Sequence, residues 1–263
     1  MKSISSDANP RFREWLKLAT QPRAVREAGL TLAEGLHLAQ TALAAGITPE
    51  AVLLRRGADR QALHDVLDRV AGLRVPEYEL GASLFDRLAP VERGVGLILV
   101  IPLGESALPP RADGDALYLD GVQDPGNAGA LLRVAAAAGV HLVCASPATT
   151  ALWAPKALRG AQGAHFALRI CEQVTPEALK QLGAVTWIAT TAQAEQSLWA
   201  AALPRGAIGW MFGSEGQGLS REALALCTLR VSIPVSDAVE SLNVVTAAAV
   251  CLFERKRRID TGQ

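Results

Sequence analysis

Three short stretches combine glycines with polar side chains that could do chemistry. They are Asp124-Pro125-Gly126-Asn127, with Arg133 six residues beyond the Asn; Gly213-Ser214-Glu215-Gly216-Gln217-Gly218; and Ser241-Leu242-Asn243. An apolar run leads into the first and an alanine-rich helical pattern leads out, as in a nucleotide-binding turn. The GxGxxG spacing is missing, which argues against a dehydrogenase. Asn127 reads as the N-cap of the helix that follows. In the second stretch, three glycines in six positions permit positive φ angles and close backbone approach to a ligand. Glu215 among them would repel a phosphate but would tolerate a positively charged ligand, or Arg133. In the third, Ser241 reads as the N-cap of a long apolar helix. Asn243, inside the first turn, reads as a residue that contacts a partner. Asn127, Arg133, Glu215, Ser241 and Asn243 are therefore the candidate polar constellation. The four histidines show no ligand spacing and are assigned no chemistry.

The elements that must position these stretches follow from periodicity. The polar, Pro/Gly-rich segment LGESALPPRADGD separates two blocks and places a linker at 106–114. Residues 1–105 read as a small α/β domain, with helices over 31–45 and 61–71 and strands over 51–54 and 96–101. Residues 115–263 alternate more strongly. Strands are expected at 116–120, 140–145, 165–170, 185–190, 207–212 and 229–233, with helices at 128–138, 154–161, 176–182, 197–202, 220–226 and 242–257. This predicts an α/β fold, a mostly parallel sheet with helices on both faces. Ligands then collect where loops leave the C-terminal ends of strands.

Bulk properties narrow the classes. Half of the 263 residues are apolar, enough for a real core, and the formal net charge is zero, so any nucleic-acid surface must be local. Two local basic stretches exist: Arg11, Arg13, Lys17, Arg23 and Arg26, and the run Arg255-Lys256-Arg257-Arg258. Phe12 and Trp15 are nearby candidates for base contacts, with burial in the core as the competing fate. The four cysteines form no CxxC pair and read as reduced, buried small hydrophobes, with no metal site. No apolar run reaches the roughly 20 residues of a membrane helix, and the first residues lack an apolar signal region, so a cytoplasmic protein without membrane contact is expected.

Read together, DPGNAGALLRVAAAAG, FGSEGQGLSREAL and IPVSDAVESLNVVTAAAVCLFE resemble the three sequence blocks of the SpoU-like (TrmH-type) RNA ribose 2′-O-methyltransferases, a branch of the SPOUT superfamily. Pro155 to Arg159 and Gly163 to Phe166 also resemble that family. So, more loosely, does the segment from Arg23 to Gly35, with Glu34-Gly35 placed in a helix; it is similar to a small ribosomal-protein-like RNA substrate-binding domain. The resemblance implies a C-terminal trefoil knot, S-adenosyl-L-methionine as cofactor, an RNA substrate (ribosomal RNA in preference to transfer RNA), and a homodimer whose active site is built at the interface. It implies that Gly213, Gly218, Ile233 and Leu242 hold the cofactor. It places Arg133 at the ribose hydroxyl, and we expect Glu215 and Asn127 to orient it. A tRNA methyltransferase and a non-catalytic RNA-binding protein on the same scaffold are the alternatives.

Overall fold

The computed structural model describes residues 1–89, 94–183 and 185–262. They divide into two compact units, Met1–Gly104 with Trp153–Phe166, and Glu105–Leu152 with Ala167–Gln263. The division differs from the sequence boundaries, and the expected linker at 106–114 falls within the second unit. Trp153–Phe166 lies in mid-sequence of the second unit but folds with the first.

In the first unit, β1 (Lys2–Ile4), α1 (Pro10–Thr20), α2 (Pro22–Ala28), β2 (Leu30–Glu34), α3 (Leu36–Ala44), β3 (Ala51–Arg55), α4 (His64–Gly72), β4 (Glu77–Leu80), α5 (Ala82–Leu88) and β5 (Leu97–Pro102) build a five-stranded sheet, order β1-β4-β3-β5-β2. The stretch expected as one helix over 31–45 is a strand, a turn and a shorter helix. Leu32 and Ala33 fit a helical period with the apolar residues that follow, but the backbone of Leu30–Glu34 pairs antiparallel with β5, and Gly35 turns the chain at φ +94°. Tertiary pairing overrides local periodicity here. Glu34 therefore ends a strand and does not sit in a helix.

The Trp153–Phe166 segment carries α7 (Pro155–Ala161), reached here ahead of α6. It is fixed to β2 by a buried hydrogen bond from Thr31 Oγ1 to the Trp153 carbonyl (2.6 Å) and by the Arg159–Glu34 ion pair (3.3 Å). Burial raises the Glu34 carboxyl above its ordinary range, and Arg159 opposes that shift. Phe12 and Trp15 are core residues, 0% and 4% exposed.

The second unit contains β6 (Ala116–Asp120), α6 (Pro125–Ala138), β7 (Leu142–Ala145), β8 (Arg169–Cys171), α8 (Pro176–Leu179), β9 (Thr186–Thr190), β10 (Ile208–Gly213), α9 (Arg221–Leu226), β11 (Leu229–Val231) and α10 (Val244–Thr261). Its sheet runs β11-β9-β10-β6-β7-β8, and every strand pair is parallel. β6 is buried along its whole length, as a strand covered on both faces must be. One face packs Tyr118, Cys144, Trp187 and Met211 into a continuous core. α10 packs against α6 and β10.

Two expected elements differ. Most of the strand expected at 165–170 is a short 3-10 turn, and only Arg169–Cys171 pairs. The helix expected at 197–202 is a turn, because its first backbone groups bond to Ser232 beyond β11: Ser232 N donates to Gln196 O (2.9 Å) and Leu198 N to Ser232 O (2.8 Å). Cys144, Cys171 and Cys251 are buried and Cys227 partly so, all as free thiols; burial pushes Cys227 and Cys251 up to about 12.

The basic run at the end of α10 is structural. Arg255 is 6% exposed; it pairs with Asp115 (2.9 Å) and donates to the carbonyls of Pro204 and Gly206 (2.7 Å each). Arg258 donates to the carbonyls of Ala201 and Leu198 and pairs with Glu254. Among the described residues, no helix is long and apolar enough to cross a membrane.

Candidate active site

The site lies in the second unit, at the C-terminal ends of β6, β9 and β10, where parallel sheets present their ligand loops. The first loop leaves β6 at Gly121, whose φ is +76° and whose N–H donates to the hydroxyls of Ser146 and Thr149 (3.0 Å each). The cap of α6 is Asp124, not Asn127. Asp124 Oδ1 accepts from Asn127 N at 2.8 Å, and Pro125 opens the helix, a position where its missing N–H costs nothing. Asn127 is thus in the first turn with its amide side chain free to reach outward.

The second loop is a tight strap. Ser214 and Gly218 exchange both backbone hydrogen bonds (3.1 and 3.0 Å), and Gly218 has φ +68°. The strap folds directly onto Gly213: a Cβ there would lie 2.0 Å from the Gly218 carbonyl carbon. Only glycine fits. Asp120, nearly buried at the end of β6, accepts from Ser220 N (2.8 Å) and anchors the far end of the strap, where Ser220 caps α9.

The third loop ends at α10, whose cap is Asn243 and not Ser241. Asn243 Oδ1 accepts from Val245 N at 2.9 Å. Its Nδ2 remains free to donate elsewhere.

These local arrangements bring three remote positions together. Asn127 Nδ2 donates to Glu215 Oε1 at 2.7 Å, and Asn243 Nδ2 donates to Asn127 Oδ1 at 3.4 Å. The chain Asn243–Asn127–Glu215 ties all three loops. Beside it opens a cleft of about 730 Å³ with walls that include Phe212, Gly213, Leu219, Ile233 and Leu242. Gly218, Glu215, Ser241 and Asn243 also line it.

Arg133 is the exception. It is exposed and has no hydrogen-bond or ion-pair partner among the described residues, so within one chain neither Asn127 nor Glu215 orients it. Helical geometry explains this: six residues carry a side chain about 9 Å along the axis and about 120° away around it.

Sequence reasoning missed Glu240, Thr190 and Gln193, which also line the cleft. Glu240 adjoins Ser241 and its charge was visible. Thr190 became significant only once β9 was known to lie beside β10.

The electrostatics of the cleft are one-sided. Its lining includes the carboxylates of Glu215 and Glu240, and no lysine or arginine is found among the described lining residues. Such a cleft favours a ligand with net positive charge and disfavours a pyrophosphate. Among the described residues no group of three or more His, Cys, Asp or Glu side chains could hold a metal ion.

Residues 116–253 match the family model described as the SpoU rRNA Methylase family. An uncharacterized tRNA/rRNA methyltransferase of Synechocystis is 34% identical, covering 97% of this chain and 94% of that protein. The 23S rRNA (guanosine(2553)-2′-O)-methyltransferase RlmP of Bacillus subtilis is 29% identical, with 96% and 98% covered. Among solved structures, the SpoU methyltransferase AviRb from Streptomyces viridochromogenes, in complex with AdoMet, superposes with a TM-score of 0.86 at 24% identity over 97% of this chain and 100% of that one.

Proposed function

The chain belongs to the SpoU rRNA methylase family, and from that premise we propose that it transfers a methyl group from S-adenosyl-L-methionine to a ribose 2′-hydroxyl of ribosomal RNA. One observation carries the reading: a cleft floored by glycine backbone and lined by two carboxylates, with no lysine or arginine among the described lining residues. The cofactor has two positive groups and one carboxylate, so its net charge suits that lining. Its product, S-adenosylhomocysteine, is neutral overall and is held less tightly by the same charges.

When bound, the cofactor supplies an electrophilic methyl on a sulfonium that departs as a neutral thioether. The apolar walls of Phe212, Leu219, Ile233 and Leu242 take its adenine and exclude water. The strap over Gly213, with Gly218 at its return, gives backbone N–H and C=O groups close access to it. Glu215, fixed by Asn127, holds negative charge at the cleft mouth, and Asn243 fixes Asn127 in turn. Ser241 lines the same cleft.

The ribose oxygen must lose its proton and approach in line with the methyl. An arginine holds its proton too tightly to act as an ordinary base. In this reading Arg133 binds the neighbouring phosphate and stabilises negative charge developing on the ribose oxygen. Because Arg133 has no partner among the described residues of its own chain, we place it in the active site of a second copy, in a homodimer whose sites are completed across the interface. The trefoil knot and cytoplasmic work on RNA belong to the same reading, as does RNA binding by the first unit.

Calorimetric titration tests the cofactor assignment. Expected is micromolar binding of S-adenosylmethionine that tightens as salt is lowered, weaker and less salt-dependent binding of S-adenosylhomocysteine, and none of NAD. Binding of NAD in preference to S-adenosylmethionine would overturn it.

A further inference from the structure

The first unit holds a cavity of about 390 Å³ between α1, α2 and the sheet ends at Leu30, Ala51 and Tyr78. Trp15 and Tyr78 form one wall, edge to face, with ring centroids 5.0 Å apart and planes at 70°. The two side chains are 4% and 9% exposed. Here the Trp15 indole N–H and the Tyr78 hydroxyl bond to no other described residue, and neither is among the buried polar atoms left without a partner, so both are open to solvent.

The rim adds the opposite chemistry. Arg11 and Lys17 line the cavity together with Glu14, Glu27 and Glu50; Arg11 pairs with Glu14 and Glu27 with Arg23, while Lys17 and Glu50 have no ion-pair partner among the described residues. α1 and α2 together carry five cations, Arg11, Arg13, Lys17, Arg23 and Arg26, against Glu14 and Glu27. The helices beside the cavity are therefore positive on a chain of zero net charge.

We propose that this cavity receives one unpaired nucleobase of the RNA. The proposal rests on the RNA-methyltransferase reading above and deepens it. A volume near the lower end of the range for ligand sites, about 300–1,000 Å³, suits one flat ring system. The two open donors match the carbonyl oxygens and ring nitrogens of a base edge, and the Glu50 carboxylate can accept from an exocyclic amine. The cations on α1 and α2 take the flanking phosphates, which position the strand without reading it. Single-stranded RNA is read this way, by bases turned out of the stack and bonded along their edges.

The test follows the tryptophan indole N–H signals of the ¹⁵N-labelled full-length chain during titration with single-stranded octaribonucleotides, A8 and U8, and with a duplex of the two. Trp15→Phe identifies the Trp15 signal among the five tryptophans. Expected is a saturable shift of the Trp15 signal with a single strand and none with the duplex. Tyr78→Phe keeps the ring and the fold and weakens single-strand affinity about five- to tenfold, the loss of one hydrogen bond. A Trp15 signal that stays still at saturating RNA, or unchanged affinity in Tyr78→Phe, overturns the proposal. The titration contains no cofactor. Failure to bind S-adenosylmethionine would sink the reading of the second unit, while the cavity is decided by the Trp15 signal and the Tyr78→Phe affinity.

Discussion

An alanine at position 213 would place its Cβ 2.0 Å from the Gly218 carbonyl carbon, 2.2 Å from the Gly218 oxygen and 2.3 Å from the Leu219 nitrogen. All three are backbone atoms, so no side chain can swing aside. To reach the 3.4 Å of ordinary contact the strap must withdraw by more than 1 Å, which opens the paired hydrogen bonds between Ser214 and Gly218. At about 1 kcal/mol for each of the two, relaxing the strap costs about 2 kcal/mol. A relaxed strap no longer forms the cleft wall, and restoring it on binding costs at least as much again as those bonds contribute. Gly213→Ala should therefore weaken S-adenosylmethionine binding by about 30-fold, read by calorimetric titration. Its thermal midpoint should fall by a few degrees, on the order of 2–4 °C per kcal/mol for a chain of this size. Gly206→Ala, whose Cβ meets nothing within 4 Å, should leave both unchanged. A Gly213→Ala variant that binds within threefold of the parent, with an unchanged midpoint, would refute the role given to the strap.

Other substitutions probe separate parts of the account. Arg133→Ala should leave stability within about 0.5 kcal/mol, because the side chain is exposed and has no partner among the described residues. It should keep cofactor binding and slow methyl transfer on the order of 100-fold or more, with Arg133→Lys nearly as slow because the planar fork is gone. Arg255→Ala strips the partner from Asp115 and from the carbonyls of Pro204 and Gly206, and should cost about 3–5 kcal/mol in urea unfolding. Glu254 is held down at about 2, first by its hydrogen bond to Arg257 and also by Arg258. A depressed folded-state value contributes stability above the ordinary carboxylate value of 4.5 and loses it as pH falls toward 2. Glu254→Gln should thus be less stable than the parent at pH 7, and unfolding curves of the two should converge between pH 4.5 and 2.

How much of this was legible beforehand depends on what each residue's fate rests on. β6 and β10 were readable because both faces of a central parallel strand are buried, and an unbroken apolar run reports that directly. The Leu30–Glu34 strand was not, because its partner β5 lies more than sixty residues away and nothing local breaks the helical period before Gly35. The turn at 197–202 was lost for the same reason, its backbone being engaged by Ser232. In the site, residue types and loop glycines located the three bends, and the structure joins them through Asn127, Glu215 and Asn243. The cap assignments slipped. Asp124 outcompetes Asn127, and Asn243 outcompetes Ser241, because which of two adjacent polar residues caps a helix is set by where the first turn closes. Arg133 was placed in the cluster by motif alone, and helical phase takes it away within one chain.

The central claim concerns which atom is methylated. Ribosomal RNA from cells lacking the protein, incubated with the purified chain and S-adenosylmethionine, can be digested to nucleosides and analysed by mass spectrometry. The account predicts one new 2′-O-methylated nucleoside, with one S-adenosylhomocysteine formed per methyl. A methyl on a base nitrogen or carbon, or none at all while the cofactor is demonstrably bound, would contradict it.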